Sequence, residues 1–432
     1  MRNISKILFL SAVIMLGFSS FVTAVDRFPR PDFTETKHQH PVVQHVQPRP
    51  AVLEYVDTAV LLACLILAVL ALRSRSRRNM SLLALFSVIY FGFYKQGCVC
   101  SVGSLQNMTQ AIFQSDFFIP LVVVLFFVLP LIFALFFGRV FCAAVCPLGS
   151  LQETLLIKPV KVPVWLEKLL RFIPYLYLSF AILLAATGTA YIICQFDPFV
   201  SLYRMNGSFN MLVLTGSIIG ISLFVGRPYC RFICPYSVLL NLCSKFSSWH
   251  TAITPDKCVR CGLCKDACPY GAIRFPEPEA SDVENKKQKR LLKILLLIWP
   301  FLIIVGAGAG LFSAEALSHL NKTVERAESL SSGQKTPWQL DLVTAFRQTG
   351  AADKDLYAQA TRILHQFEIG STVIGGGLGF LLGLYILRMN IRRRQDDYLP
   401  DRGLCFSCGR CHAYCPREQL RLKKLKEENN AG

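Results

Sequence analysis

The chain has 432 residues, 53% of them hydrophobic, and a formal net charge of +18. A soluble globular chain of this size rarely carries so much apolar material, and runs of about 20 apolar residues recur, each long enough to cross a hydrocarbon core of roughly 30 Å. The positive charge does not point to nucleic acid: the basic residues sit beside the apolar runs on alternate loops, the pattern that membrane topology produces.

Residues 1–24 read as a secretory signal, with Arg2 and Lys6 before an apolar stretch from Ile7 and Val22-Thr23-Ala24 as a cleavage site. An uncleaved anchor is the alternative, and both put residue 25 outside. Residues 25–50 are rich in Pro and His, lack an apolar period, and read as an external, mostly disordered tail in which His38, His40 and His45 are solvated, with metal binding the alternative. Seven spans are then predicted, over 52–72, 79–97, 117–137, 172–194, 209–226, 291–312 and 370–388. Alternation puts Arg73, Arg75, Arg77 and Arg78, the loops 139–171 and 227–290, and Arg392, Arg393 and Arg394 on the inner side, so every densely basic segment falls on one face. Residues 51–247 form the membrane core and 248–285 a first cysteine run. Residues 286–390 form a helical hairpin with an external loop at 313–369, and 391–432 hold a second cysteine run and a basic tail. Gly306 and Gly310 in the sixth span, with Gly375, Gly379 and Gly383 in the seventh, lie at four-residue spacing, which lets two helices approach closely.

Seventeen cysteines are grouped rather than scattered. Cys258, Cys261, Cys264 and Cys268-Pro269 form Cys-x2-Cys-x2-Cys-x3-Cys-Pro, and Cys405, Cys408, Cys411 and Cys415-Pro416 repeat it. This is the bacterial ferredoxin run, in which the fourth cysteine ligates the other of two clusters. Structural zinc rarely uses four cysteines followed by proline. Two [4Fe–4S] clusters are therefore expected, with Cys268 and Cys415 exchanged between runs that the hairpin separates in sequence; separate single-cluster lobes are the alternative.

A second pair of motifs ends the third and fifth spans. Gly138-Arg139-Val140-Phe141-Cys142 leads to Cys146-Pro147, and Gly226-Arg227-Pro228-Tyr229-Cys230 leads to Cys234-Pro235. Cysteines at i and i+4 share one face of a helical turn. Outer loops opening on Cys98 and Cys100, and on Cys194, precede the two motifs. Spans two–three and four–five thus read as two copies of one hairpin in the same orientation, related by an axis along the membrane normal. That symmetry gathers Cys142, Cys146, Cys230 and Cys234 on the inner side, as an additional iron–sulfur or soft-metal site or as buried thiols that shape a helix end. It gathers Cys98, Cys100 and Cys194 on the outer side, as a disulfide, a redox switch or a second metal site. Arg139 and Arg227 either bear on the nearby sulfurs or snorkel to the interface. Cys64 and Cys243 read as ordinary buried thiols.

The two Cys-x-x-x-Cys-Pro motifs, the ferredoxin runs and the apolar spans together resemble the NapH/NosR type of membrane polyferredoxin, over residues 80–275 and the C-terminal run. The resemblance implies an all-α polytopic membrane protein of about seven spans after a signal segment. A small ferredoxin-like α+β iron–sulfur module would lie on the cytoplasmic side of a bacterial inner membrane. It also implies electron transfer between quinol or a cytoplasmic donor and a respiratory or periplasmic partner, such as a reductase or flavoprotein. That would make the chain a quinol dehydrogenase or an electron-transfer subunit. The alternative is a NosR-type assembly or regulatory factor. No hydrolase triad, P-loop or dinucleotide fingerprint is present, and neither is a flavin-binding domain of the NosR kind.

Overall fold

The computed structural model describes residues 50–431 apart from 98–99, 116, 250, 254–257, 277–281, 332–342, 345, 349, 351 and 391–396. The expected signal segment, the tail with its histidines, Cys98 and Arg392–Arg394 lie outside the described residues. The protein is mostly helical, with little sheet.

Four helices are long and apolar enough to cross a membrane: Val52–Arg73, Val164–Ala186, Gln288–Ser318 and Asp353–Arg388. Leu121–Phe137 and Phe209–Ser222, at the third and fifth predicted spans, are shorter apolar helices. The second predicted span is an α-helix, Arg77–Ser87, that widens into a π-helix, Val88–Tyr94. Aromatic and β-branched residues crowd that segment, and a buried ion pair between Lys95 and Asp57 closes its end, with the Tyr90 hydroxyl donating to Asp57 at 2.8 Å. A further helix, Ser101–Phe113, starts directly at Cys100 and packs on both Leu121–Phe137 and the helix Ile173–Ala186.

The sixth and seventh predicted spans underestimate their helices, Asp282–Ser318 and Asp353–Asn390, which continue into the loop expected to be external. They form one antiparallel hairpin. A Cβ on Gly306 would collide with the Gly375 carbonyl, one on Gly310 with Ser371, and one on Gly379 with Leu302, so glycine is what lets the backbones touch. The short helix Lys322–Ser331 covers the hairpin's far end through Ala327, Leu356 and Ala360. Beyond the hairpin's other end, β1 (Ile273–Arg274) pairs antiparallel with β2 (Leu399–Pro400), Ile273 opposite Pro400. The two cysteine runs, far apart in sequence, are thereby stitched together.

Gly306→Val should force the hairpin apart and cost about 1–3 kcal/mol, as overpacking does. Gly308→Val, which meets nothing within 4 Å, should be close to neutral. Thermal unfolding of the two variants in detergent checks the contrast.

Candidate functional site

The two cysteine runs adopt one backbone conformation twice. Arg260 and Ser407 both have φ of +54°, and Gly262 and Gly409 have φ of +78° and +74°. Glycine suits the second position because left-handed backbone carries no Cβ penalty there. In each run the positive-φ residue turns its N–H back onto the first thiol: Arg260 N–H donates to Cys258 Sγ at 3.4 Å, and Ser407 N–H to Cys405 Sγ at 3.4 Å. A single helical turn follows in each, Leu263–Ala267 and Arg410–Tyr414, and ends on an extended cysteine, Cys268 or Cys415.

The runs also cross over. Cys258, Cys261 and Cys264 line one pocket together with Cys415, the last cysteine of the other run. Cys268 packs against the main core alongside Cys405 and Cys408. Among the described residues, no three His, Cys, Asp or Glu side chains close onto a single metal-ion position. Thiols spread around a pocket suit a cubane, which holds its thiolates much farther apart than one zinc ion does. Burial pushes the Cys405 thiol up to about 12, and metal ligation is what deprotonates such a thiol. Wrapped backbone, N–H donors aimed at sulfur and the four-thiol pocket together fit an iron–sulfur cluster.

The Cys-x-x-x-Cys-Pro motifs are likewise built twice; the second opens as the α-turn Pro228–Phe232 that the spacing predicts, whereas the first is wider. Phe141–Val145 is a π-helical turn, closed by Cys146 N–H donating to the Phe141 carbonyl at 2.8 Å. In the second copy Cys234 N–H donates to the Tyr229 carbonyl, again at 2.8 Å. The proline after each second cysteine lacks an N–H, so the widened turn ends there and a new helix starts: Pro147–Thr154 and, one residue later, Tyr236–Lys245. Cys142, Cys146, Cys230 and Cys234 are all buried in one core. Gln152 Nε2 donates to Cys230 Sγ at 3.4 Å, while its Oε1 accepts from Tyr229 N–H at 3.0 Å. A Cβ on Gly149 would strike the Cys142 carbonyl and sit 3.7 Å from Cys230 Sγ, so close approach of the two copies requires glycine there.

Cys100 packs against this same core. Tyr203 ties the two regions together: its ring fills the space over Gly92 and Gly97, and its hydroxyl donates to the Pro147 carbonyl at 3.0 Å. Cys100, expected on the outer face, is therefore a neighbour of the inner thiols, because the half-helices beginning at Cys100 and Pro147 start within the core rather than at its two faces. Cys194 is more exposed and stands 3.3 Å from where a Cβ on Gly103 would lie. Among the described residues no cysteine is in a disulfide, Cys100 and Cys194 included. Cys64 is buried and Cys243 half-buried, both against the main core.

No motif or periodicity points to the group that joins the two halves. Glu153 is buried where the membrane helices meet the cysteine runs. Its Oε1 accepts from Arg77 at 2.6 Å and from Arg410 at 2.8 Å. Its Oε2 accepts from Arg227 at 3.2 Å and from the Tyr270 hydroxyl. Burial alone would raise this carboxyl, but Arg227, Arg410 and Arg77, with the Tyr270 hydrogen bond, bring it down to about 2. Arg227 is fully buried and also donates to the Cys142 and Ala143 carbonyls. Arg139 is 3% exposed and stacks on Phe406, 4.1 Å from the ring centroid; Arg227 approaches the same ring at 5.2 Å. Neither arginine snorkels. The loop arginines do specific work as well: Arg77 donates to the Cys408 carbonyl at 2.8 Å, and Arg75 pairs with Glu418 at 2.6 Å.

Residues 119–171 and 208–253, which contain both Cys-x-x-x-Cys-Pro motifs, match a family described as a 4Fe-4S binding domain; residues 251–274 match a second family of the same description. The chain is 30% identical over 156 residues to the putative electron transport protein YccM of Escherichia coli, covering 32% of this chain and 43% of that one. It is 30% identical over 156 residues to Protein NirI of Paracoccus denitrificans, covering 32% and 22%. Against the regulatory protein NosR of Pseudomonas aeruginosa, identity is 26% over 233 residues, covering 48% and 32%. The chain thus spans less than half the length of each of these three relatives. No solved structure matches it. With its repeated motifs inside the matched segments, the chain is similar to 4Fe–4S polyferredoxins of the NapH/NosR type.

Replacing Glu153 by Gln should loosen the cysteine runs from the membrane helices, seen as faster amide exchange over residues 258–275 and 402–418. In the native chain the carboxyl sits below its ordinary value, so its stabilisation is complete above pH 4.5 and is lost as pH falls toward 2. The full effect is roughly 3 kcal/mol. Protection that survives unchanged down to pH 2 would contradict the assignment.

Proposed function

We propose that the chain is a membrane-bound iron–sulfur electron-transfer protein holding two [4Fe–4S] clusters. Cys258, Cys261, Cys264 and Cys415 hold one; Cys405, Cys408, Cys411 and Cys268 hold the other. The single observation that carries this is the pocket in which the last cysteine of one run completes the other. Similarity to the putative electron transport protein YccM supports the electron-transfer role. In this reading the clusters face the cytoplasm of a bacterial inner membrane. They carry electrons between quinol or a cytoplasmic donor and a respiratory or periplasmic redox partner. The clusters supply one-electron storage; the chain's own part is to hold the second against the membrane core and the first nearer the aqueous side. Similarity to the regulatory protein NosR favours a second reading, in which the clusters support maturation or expression of another redox enzyme.

The two cysteine runs should account for about eight iron and eight acid-labile sulfide atoms per chain, as two cubanes require. Cys415→Ser should disturb the cluster of the first run although it lies in the second. Reduction of the clusters by a quinol analogue separates the electron-transfer reading from the regulatory one.

We further propose that Cys142, Cys146, Cys230 and Cys234, with Cys100 beside them, form an additional soft-metal or iron–sulfur site between the clusters and the far side of the membrane. Four buried thiols from two copies of one motif support it. A Cys142→Ser/Cys230→Ser double variant should lose iron or another soft metal; full retention of metal and sulfide would sink the idea.

A further inference from the structure

The two cysteine runs share a backbone but not an environment. Around the first, Cys261 is exposed, and Val259 and Leu263 face solvent. Two exposed arginines stand by it: Arg417 lines its pocket, and Arg260, 61% exposed, faces Asp397 at 3.7 Å, so water and that carboxylate mute their charge.

The second run is pressed against the membrane core. Phe406, between Cys405 and Cys408, lies under the guanidinium groups of Arg139 and Arg227. Arg77 holds the Cys408 carbonyl, and Arg410 stands between Cys408 and Cys411. Four guanidinium groups therefore surround this run, while one carboxylate, Glu153, serves three of them. Arg139 has no carboxylate partner among the described residues. It donates to Ser237 Oγ at 3.1 Å and to the Gly403 carbonyl at 3.4 Å, and its Nε is buried without a partner. A buried cation left this way is costly unless an anion stands close by.

We propose that Arg139 and Arg227 set the reduction potential of the cluster on Cys405, Cys408, Cys411 and Cys268 above that of the cluster on Cys258, Cys261, Cys264 and Cys415, so that electrons run from the exposed run toward the membrane core. This rests on the two-cluster reading above. Reduction adds one negative charge to a cluster. Burial opposes that charge, and nearby cations in a poorly screened site favour it, with the cations outnumbering the carboxylate around the second run. Each transfer moves one electron: the first-run cluster is oxidised as the second-run cluster is reduced, and no bond or proton changes place. A soluble one-electron carrier on the aqueous side reduces the first cluster again. Arg139 and Arg227 are positioning residues, since they act through charge without touching a reacting atom.

The test is a mediator-buffered redox titration of the purified full-length protein, followed by electron paramagnetic resonance. Cys261→Ser and Cys408→Ser assign the signals, each altering one. In the native protein the second-run signal should appear at the higher potential. Arg139→Gln should lower that potential by at least a tenfold change in the reduced-to-oxidised ratio, about 59 mV for one electron, and leave the first-run signal in place. Arg139→Lys, which keeps the charge without the planar stack, should restore most of the shift, and Arg260→Gln should move neither signal appreciably. A native second-run potential at or below the first overturns the proposal. So does an Arg139→Gln variant that shifts both signals equally or neither, or an Arg139→Lys variant no better than Gln, since each marks a structural role. A single signal with about four iron atoms per chain overturns the two-cluster reading itself, and iron analysis shows that outcome separately.

Discussion

Four distant segments of this molecule meet at one carboxylate. Glu153 belongs to a short helix that starts from a membrane-core motif, yet it binds Arg77 at the head of the second predicted span, Arg227 of the second motif copy, Tyr270 just beyond the first cysteine run, and Arg410 inside the second. Burying one charge with one partner gains little, because desolvation cancels most of the attraction. Burying it with three cations and a hydroxyl is different, since every acceptor position is filled and the attraction is repeated. The same arrangement leaves a local excess of positive charge. An anionic cluster on the adjacent thiols would relieve that excess, which would link docking of the runs to loading of the second run.

The repeated motif explains how the carboxylate comes to be there. In both copies the N–H of the second cysteine reaches back five residues instead of four, which widens the turn and aims the first cysteine inward. The helix after the proline then starts deep in the core. In the first copy that helix carries Gly149, Gln152 and Glu153. Gly149 allows the approach, Gln152 reads the backbone and sulfur of the second copy, and Glu153 takes up that copy's arginine. The copies have diverged in their polar groups: Arg227 finds Glu153, whereas Arg139 finds neutral acceptors and an aromatic ring.

The cysteine runs, the motif repeat and the glycine-faced hairpin were legible because each is a local pattern with one strong physical reading. The arrangement of the spans was less legible. Hydropathy treats each apolar run as a full crossing, but Phe209–Ser222 has 14 residues and Leu121–Phe137 has 17, about 21 and 26 Å of helix. That assumption alone put Cys100 and Cys146 on opposite faces. The likeness between the sequences after Cys100 and Cys146 was visible and unexplained; both residues precede a helix that begins inside the core. Glu153 was not legible at all. A lone acidic residue outside any motif shows its role only when groups from four distant segments surround it. Arg75 and Arg77 followed the charge rule for membrane loops, and nothing in that rule says that they also hold the cysteine runs.

Phe406 shows why the chain uses an aromatic ring where another carboxylate would seem the natural partner for arginine. A carboxylate would bind Arg139 more tightly but would cancel its charge. The ring face attracts a guanidinium group at modest energy and carries no net charge, and the carbonyl and hydroxyl acceptors of Gly403 and Ser237 satisfy hydrogen bonds without neutralising the cation. Arg139 is thus held firmly while its field persists at the adjacent thiols. Tyr270, 5.0 Å from the same ring, gives its hydroxyl to Glu153, so one stacked group couples the charge-holding side of the interface to the charge-cancelling side. Because Phe406 lies between two cysteines of the second run, the contact that docks the run onto the membrane core is also the one that brings the cations to it.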